Sequence, residues 1–248
     1  MRVLPAVACA FGFVACSASS HGSGGSASSS GASASSSGGD ASASSGGGPA
    51  LGQPEQGVAT YYAATGDGAC SFGPSPNDLN VAAMNQAEWD GSGVCGECVT
   101  ITGPSGNVTV TIVDLCPDCE TGQLDLSQQA FAEIADVSAG RVPITWEVVA
   151  CNVTGNLEYE IKDGSSQYWT AILVRNTRLP ITKLEWLQNG VWTEIARADY
   201  NYFVVASGVG PDSYQVRVTA SDGETLVDTL PPVVAGATVT GGGQFQGE

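Results

Sequence analysis

Apolar positions in this chain recur mostly with a period of two, in short runs bounded by Gly, Pro, Asn and Asp. That pattern predicts half-buried β-strands rather than helices. Gly57-Val58-Ala59-Thr60-Tyr61-Tyr62 predicts a first strand, and residues 66–80 a loop. Val99–Ile101 and Val108–Val113 predict strands around a Pro104-Ser105-Gly106 turn, and Ile144–Val149 a further strand. One stretch, Ser127–Ala135, has helical spacing, with Ser127 as its N-cap. After Asn156 the pattern contains strands alone: residues 157–162, 170–175, 183–187, 191–195, 202–205, 214–219 and 226–228. The Asn189-Gly190 pair between two of them predicts a type I′ hairpin. The fold class is mainly β, a small barrel followed by a β-sandwich.

The N-terminal fifth reads differently. Arg2 and an apolar run to Ala15 predict a secretory signal. Phe13-Val14-Ala15-Cys16 is close to a lipobox, which makes Cys16 a candidate lipidation site in a segment spanning residues 1–16. Residues 17–54 are mainly Ser, Gly and Ala; they lack apolar side chains to bury and predict a disordered linker. A coil of that length reaches about 30–35 Å. Two domains then follow, over residues 55–153 and 154–248.

Composition narrows the chemistry. A formal net charge of −17 repels nucleic acid and anionic membranes, and disfavours acidic polymers as ligands. The only histidine, His21, lies in the linker, so histidine triads and His-ligated metal sites are excluded from the folded part. No metal and no cofactor is expected, and a monomer is. Six cysteines remain after Cys9 and Cys16. Cys95-Gly-Glu-Cys98 and Cys116-Pro-Asp-Cys119 have zinc-ribbon spacing. Export and an even count point instead to three disulfides among Cys70, Cys95, Cys98, Cys116, Cys119 and Cys151, and 15 connectivities are open.

Taken together, Gly57-Val-Ala-Thr-Tyr-Tyr62, Ala83-Met-Asn-Gln-Ala87, Cys95-Gly-Glu-Cys98, Thr111-Ile-Val-Asp-Leu115, Leu124-Asp-Leu-Ser127, Ile161-Lys-Asp-Gly-Ser-Ser166, Tyr168-Trp169 and Asp199-Tyr-Asn-Tyr-Phe-Val204 resemble a bacterial expansin. The resemblance implies a six-stranded double-psi β-barrel followed by an immunoglobulin-like carbohydrate-binding module. It also implies the pairing Cys70–Cys95, Cys98–Cys151 and Cys116–Cys119. Relatives without cysteines carry a groove-lining Tyr where Cys116 stands, so that aromatic contact is missing here.

Cutting a glycosidic bond by inversion needs an acid and a base about 6.5–9.5 Å apart. The resemblance places the acid at Asp125, oriented by a hydrogen bond from Asp114 and contacted by Thr60. Where related endoglucanases carry the base this chain has Ala63, with Asp67 four residues on as a displaced candidate. An acid without a base implies wall loosening without hydrolysis. A neighbouring carboxylate is expected to raise the pKa of Asp125. For binding, the resemblance implies a row of Tyr168, Trp169 and Tyr200 with Lys162 beside it. Adjacent strand residues face opposite ways, so exposing Tyr168 and Trp169 together requires a bulge or a strand end. Trp146, Trp186 and Trp192 read as core or structural. The expected partners are cellulose, xylan or other neutral β-glucans. An inverting endoglucanase and a peptidoglycan-binding envelope lipoprotein are the alternatives.

Overall fold

The computed structural model describes residues 50–75 and 77–247. The expectations for the signal, Cys16, His21 and the linker up to residue 49 lie outside them.

Six strands come first: β1 (Glu55–Tyr62), β2 (Val81–Asn85), β3 (Cys98–Thr102), β4 (Asn107–Cys116), β5 (Gln123–Ser127) and β6 (Val142–Val149). They close on themselves as a barrel in the order β1-β5-β2-β4-β3-β6. The β1–β5 and β2–β4 pairs are parallel and the others antiparallel. Closure leaves no free sheet edge. The interior is filled by Met84, Ile101, Ile112, Leu124, Leu126 and Trp146, all but absent from the surface.

A helix of about two turns, α1 (Gln128–Ile134), follows β5 without a break. Ser127 Oγ accepts from Ala130 N at 3.0 Å, the cap its sequence predicts, an interaction worth about 1 kcal/mol. The helix buries Phe131 and Ile134, and Tyr61 packs on Phe131 with ring centroids 5.0 Å apart.

Nine strands make up the remainder: β7 (Glu158–Ile161), β8 (Thr170–Arg175), β9 (Ile181–Gln188), β10 (Val191–Glu194), β11 (Ala196–Arg197), β12 (Phe203–Val205), β13 (Tyr214–Ala220), β14 (Thr225–Leu230) and β15 (Thr238–Thr240). They form a four-stranded sheet, β10-β9-β13-β14, and a five-stranded one, β11-β12-β8-β7-β15. Tyr159, Ile172, Leu184, Phe203, Val216 and Phe245 belong to their common core. Asn189 and Gly190 join β9 to β10 with φ of 52° and 79°, the left-handed pair that a type I′ turn requires. Trp186 is buried. Trp192 is half-buried, with the Arg217 guanidinium 4.8 Å from its ring centre.

Two departures from the sequence reading matter below. The stretch Gln123–Ser127, to which the hydrophobic pattern assigns no strand, is a barrel strand. The folded part also starts earlier than Glu55. Leu51, assigned on sequence to the linker, pairs with Val148 and packs against both cores.

Candidate functional site

Strand register builds the acidic groove. Thr60 on β1 stands opposite Asp125 on β5, Asp125 opposite Ala83 on β2, and Ala83 opposite Asp114 on β4. Both acids therefore flank one alanine in a row that crosses four strands. Asp114 reaches this row only because the β2–β4 pairing slips. Ala82 pairs with Ile112 and Ala83 with Asp114, so Val113, itself buried, is skipped in the pairing. Bulges of this kind re-aim side chains near functional sites.

A polar chain fixes the direction of the Thr60 hydroxyl. Arg141 Nη1 donates to Gln123 Oε1 at 3.2 Å, Gln123 Nε2 donates to Thr60 Oγ1 at 3.1 Å, and Thr60 Oγ1 donates to Asp125 Oδ1 at 2.6 Å. The threonine thus accepts on one side and presents its proton to Asp125 on the other. Asp125 is half-buried, and burial pushes its pKa above the usual carboxylate range. The Thr60 bond opposes that rise, and the negative charge of Asp114 adds to it. The expected shift is present, but burial is its larger cause.

Asp114 does not hydrogen-bond Asp125, contrary to the role inferred for it. Its Oδ1 accepts from Ala69 N and Leu115 N, each at 2.8 Å. Backbones two strands apart are about 10 Å from each other, too far for two short carboxylates to share a proton. Asp114 acts on Asp125 through its field and anchors the loop over residues 66–70. Gly68 permits that anchoring: a Cβ there would lie 2.5 Å from Asp114 Cγ.

Tyr62 completes the groove and escaped the sequence reading. It lies two residues after Thr60, hence on the same strand face. Its hydroxyl is buried without a partner. Burial raises its pKa most, and the charges of Asp114 and Asp125 raise it further. Ala63, directly after β1, is exposed and carries no proton-accepting group. Asp67 is exposed, and its Oδ1 accepts from Gly68 N at 3.1 Å. It is not among the charges that shift Asp125.

The aromatic residues gather on the five-stranded sheet. Tyr168 and Trp169 lie in a tight turn that leads into β8. Ser166 N donates to Trp169 O at 2.7 Å, and Trp169 N donates to Ser166 O at 3.2 Å. The pair thus occupies a strand end, which allows neighbours in sequence to avoid opposite faces. Tyr168 is 75% exposed and Tyr200 41%, whereas Trp169 is half-buried beside Ala171, Leu173 and Tyr202. Gly208 lets a neighbouring loop close on this turn, since a Cβ there would lie 2.0 Å from Gln167 O. Lys162 Nζ sits 4.7 Å from the Tyr202 ring centre and 5.8 Å from that of Tyr200.

The three disulfides are Cys70–Cys95, Cys98–Cys151 and Cys116–Cys119, as the resemblance implied, so every sulfur of the ribbon-like pairs is bonded to another. The last closes the end of β4.

With groove, aromatic row and staples in place, the chain can be compared with known proteins. Residues 81–146 match a family model described as lytic transglycolase. Over 188 residues the chain is 38% identical to Expansin-YoaJ of Bacillus subtilis, covering 74% of this chain and 81% of that one. The chain belongs to the expansin family. Two solved structures of the Clavibacter michiganensis expansin have 30% identity, cover 77% of this chain and 98% of theirs, and superpose with TM-scores of 0.72 and 0.73. The first is the apo protein, and the second a mutant in complex with cellohexaose. Relative to the expansin resemblance read from sequence, Gln123, Arg141 and Tyr62 are the additions. Gln123 and Tyr62 stand on β5 and β1, and Arg141 just ahead of β6, so what brings them to the acids is the pairing of strands, which no motif spells out.

A cavity of about 440 Å³ lies elsewhere, lined by Leu51, Asp90, Glu97, Val148, Ile181 and Arg197 among others. Glu97 is 4% exposed and its Oε2 has no partner. Burial pushes its pKa up to about 8, with Arg197 opposing and Asp90 adding to the rise. The Arg197 guanidinium donates to Ser92 O at 3.0 Å and to Ile181 O rather than to Glu97.

Proposed function

We propose that this expansin is a secreted protein that holds a neutral β-glucan along the groove of Thr60, Asp114 and Asp125 and the row of Tyr168, Trp169 and Tyr200. It loosens non-covalent contacts between chains and does not cut them. The observation that carries this reading is the environment of Asp125. One acid, half-buried and held by Thr60, has Ala63 and not a carboxylate where related endoglucanases carry their base. The cellohexaose in the Clavibacter complex supports a cellulose-like ligand, and xylan fits the same chemistry. The closed six-stranded sheet supports a double-psi barrel, and the paired sheets an immunoglobulin-like module. Exposed Tyr168 and Tyr200 offer flat apolar faces to sugar rings, and Lys162 a hydrogen-bond donor beside them.

The deciding experiment measures wall extension and reducing-sugar release side by side on amorphous cellulose, for the natural protein and Asp125→Asn. Extension without sugar release, lost in the variant, is the expected result. Sustained release that Asp125→Asn abolishes would make the protein an inverting hydrolase.

A second reading, binding to peptidoglycan from the cell envelope, is favoured by the lytic transglycolase family model over residues 81–146. It would suit a lipid anchor at Cys16. A pull-down that compares cellulose with purified murein separates the two; the charge of −17 and the exposed tyrosines lead us to expect cellulose.

A further inference from the structure

Every side-chain hydrogen bond between the barrel and the sheets, among the described residues, ends on residues 70–72 or on Ser92. Asn201 Nδ2 donates to Cys70 O at 3.1 Å, Ser71 Oγ to Tyr200 O at 2.9 Å, and Arg175 Nη2 to Phe72 O at 3.3 Å. Ser92 Oγ donates to Ala198 O at 2.9 Å, and Ser92 O accepts from Arg197 Nη1 at 3.0 Å. The Phe72 ring adds an apolar contact beneath the aromatic row, beside Tyr202 and Trp169. These two barrel segments lie far apart in sequence and are joined by one covalent bond, Cys70–Cys95.

The other side of the junction is the turn that carries Tyr200. It is closed by Asn201 N to Ala198 O at 2.9 Å and by Ala198 N to Tyr202 O at 2.8 Å. Ser71, Ser92 and Asn201 all hold left-handed backbones, with φ of 59°, 71° and 68°. Non-glycine residues keep such conformations where the surroundings over-determine them. On its inner side the same disulfide adjoins the acids, because Ala69, immediately before Cys70, holds Asp114. One bond therefore stands between a groove acid and a row aromatic.

We propose that Cys70–Cys95, together with Ser71, Ser92 and Asn201, is the positioning element that aligns the Tyr200 end of the aromatic row with the acid groove. It thereby sets the length of glucan the protein distinguishes. A chain long enough to touch both parts gains from the alignment; a short one that touches only the row does not. This inference rests on the glucan reading above.

The test uses the full chain and two variants: Cys70→Ser with Cys95→Ser, and Ser71→Ala with Ser92→Ala, the second keeping the disulfide should the first not fold. Amide hydrogen exchange over Ala198–Tyr202, without sugar, reports the junction directly. Calorimetry reports the ratio of cellohexaose to cellobiose affinity. We expect exchange in the turn to rise about tenfold and the affinity ratio to fall about tenfold, with cellobiose binding unchanged. Unaltered exchange in the Ser71→Ala/Ser92→Ala protein would overturn the proposal. So would faster exchange with an unaltered ratio in a protein that binds both sugars. If the natural protein bound neither sugar, the glucan reading would fail, while the exchange result would still decide the role of the junction.

Discussion

Thr60 stands opposite Asp125 in a parallel strand pair, and its hydroxyl reaches Asp125 Oδ1 across 2.6 Å with its proton directed there by Gln123. A hydroxyl aimed at a carboxylate favours the ionised form, whereas burial and Asp114 favour the protonated one. The groove therefore balances the proton on Asp125 instead of leaving it to solvent.

The balance can be read by following the Asp125 carboxyl carbon by NMR as pH changes. The natural protein should titrate above the usual carboxylate range. Thr60→Val removes the opposing bond and should move the midpoint further up; Asp114→Asn should move it down. If loosening uses the protonated acid, activity falls as pH rises through this folded-state pKa, and Thr60→Val carries that fall to higher pH. A profile that did not move with the midpoint would separate loosening from the Asp125 proton.

Glu97 predicts a pH-dependent stability of opposite sense to the usual acid denaturation. Its folded pKa of about 8 lies above the ordinary glutamate value of 4.5, so the folded state binds the proton more tightly. The stabilisation is complete below pH 4.5 and is lost as pH rises through about 8. Within that window the loss approaches about 1.4 kcal/mol per pH unit. Thermal unfolding from pH 5 to pH 9 should show it, and Glu97→Gln should remove this part of the slope.

Tyr168 and Trp169 should separate under substitution despite being neighbours. Tyr168→Ala removes an exposed ring and should weaken cellulose pull-down about tenfold, or ~1.4 kcal/mol, with unfolding unchanged. Trp169→Ala should weaken binding as well and also lower stability by about 1–2 kcal/mol, because its ring packs on Ala171, Leu173 and Tyr202. Equal loss of stability in the two variants would contradict this assignment.

Gly68 tests the loop that holds Asp114. An added Cβ would meet Asp114 Cβ at 2.6 Å and Val113 O at 2.7 Å, and backbone on one side leaves little room to yield. Gly68→Ala should destabilise the protein by about 1–3 kcal/mol and reduce loosening by displacing Asp114. Intact activity would show that Asp114 can be moved without consequence.

Much of this molecule was legible where a local rule was decisive. Ser127 caps its helix, Asn189-Gly190 makes its turn, and β4 shows its alternation over Asn107–Ile112. Strand β2 does not, because Val81–Asn85 is buried at every position and has no polar beat. Strand β5 was hidden by running straight into the helix, so that its short Leu-Asp-Leu alternation read as an approach to the cap. The acids were found by resemblance, but the slip that skips Val113 and the chain from Arg141 to Thr60 exist only between strands. Glu97 is buried between two cysteines of zinc-ribbon spacing, and nothing local in the sequence marks it as buried.

Leu51 joins what precedes the folded body to both of its cores. A cut just ahead of it would leave its contacts with Val148 and both cores in place. A cut a few residues later would strip an apolar wedge from beside Val148 and open that flank to water. The position of the scissile bond, and not merely its cleavage, would decide how long the trimmed protein lasts.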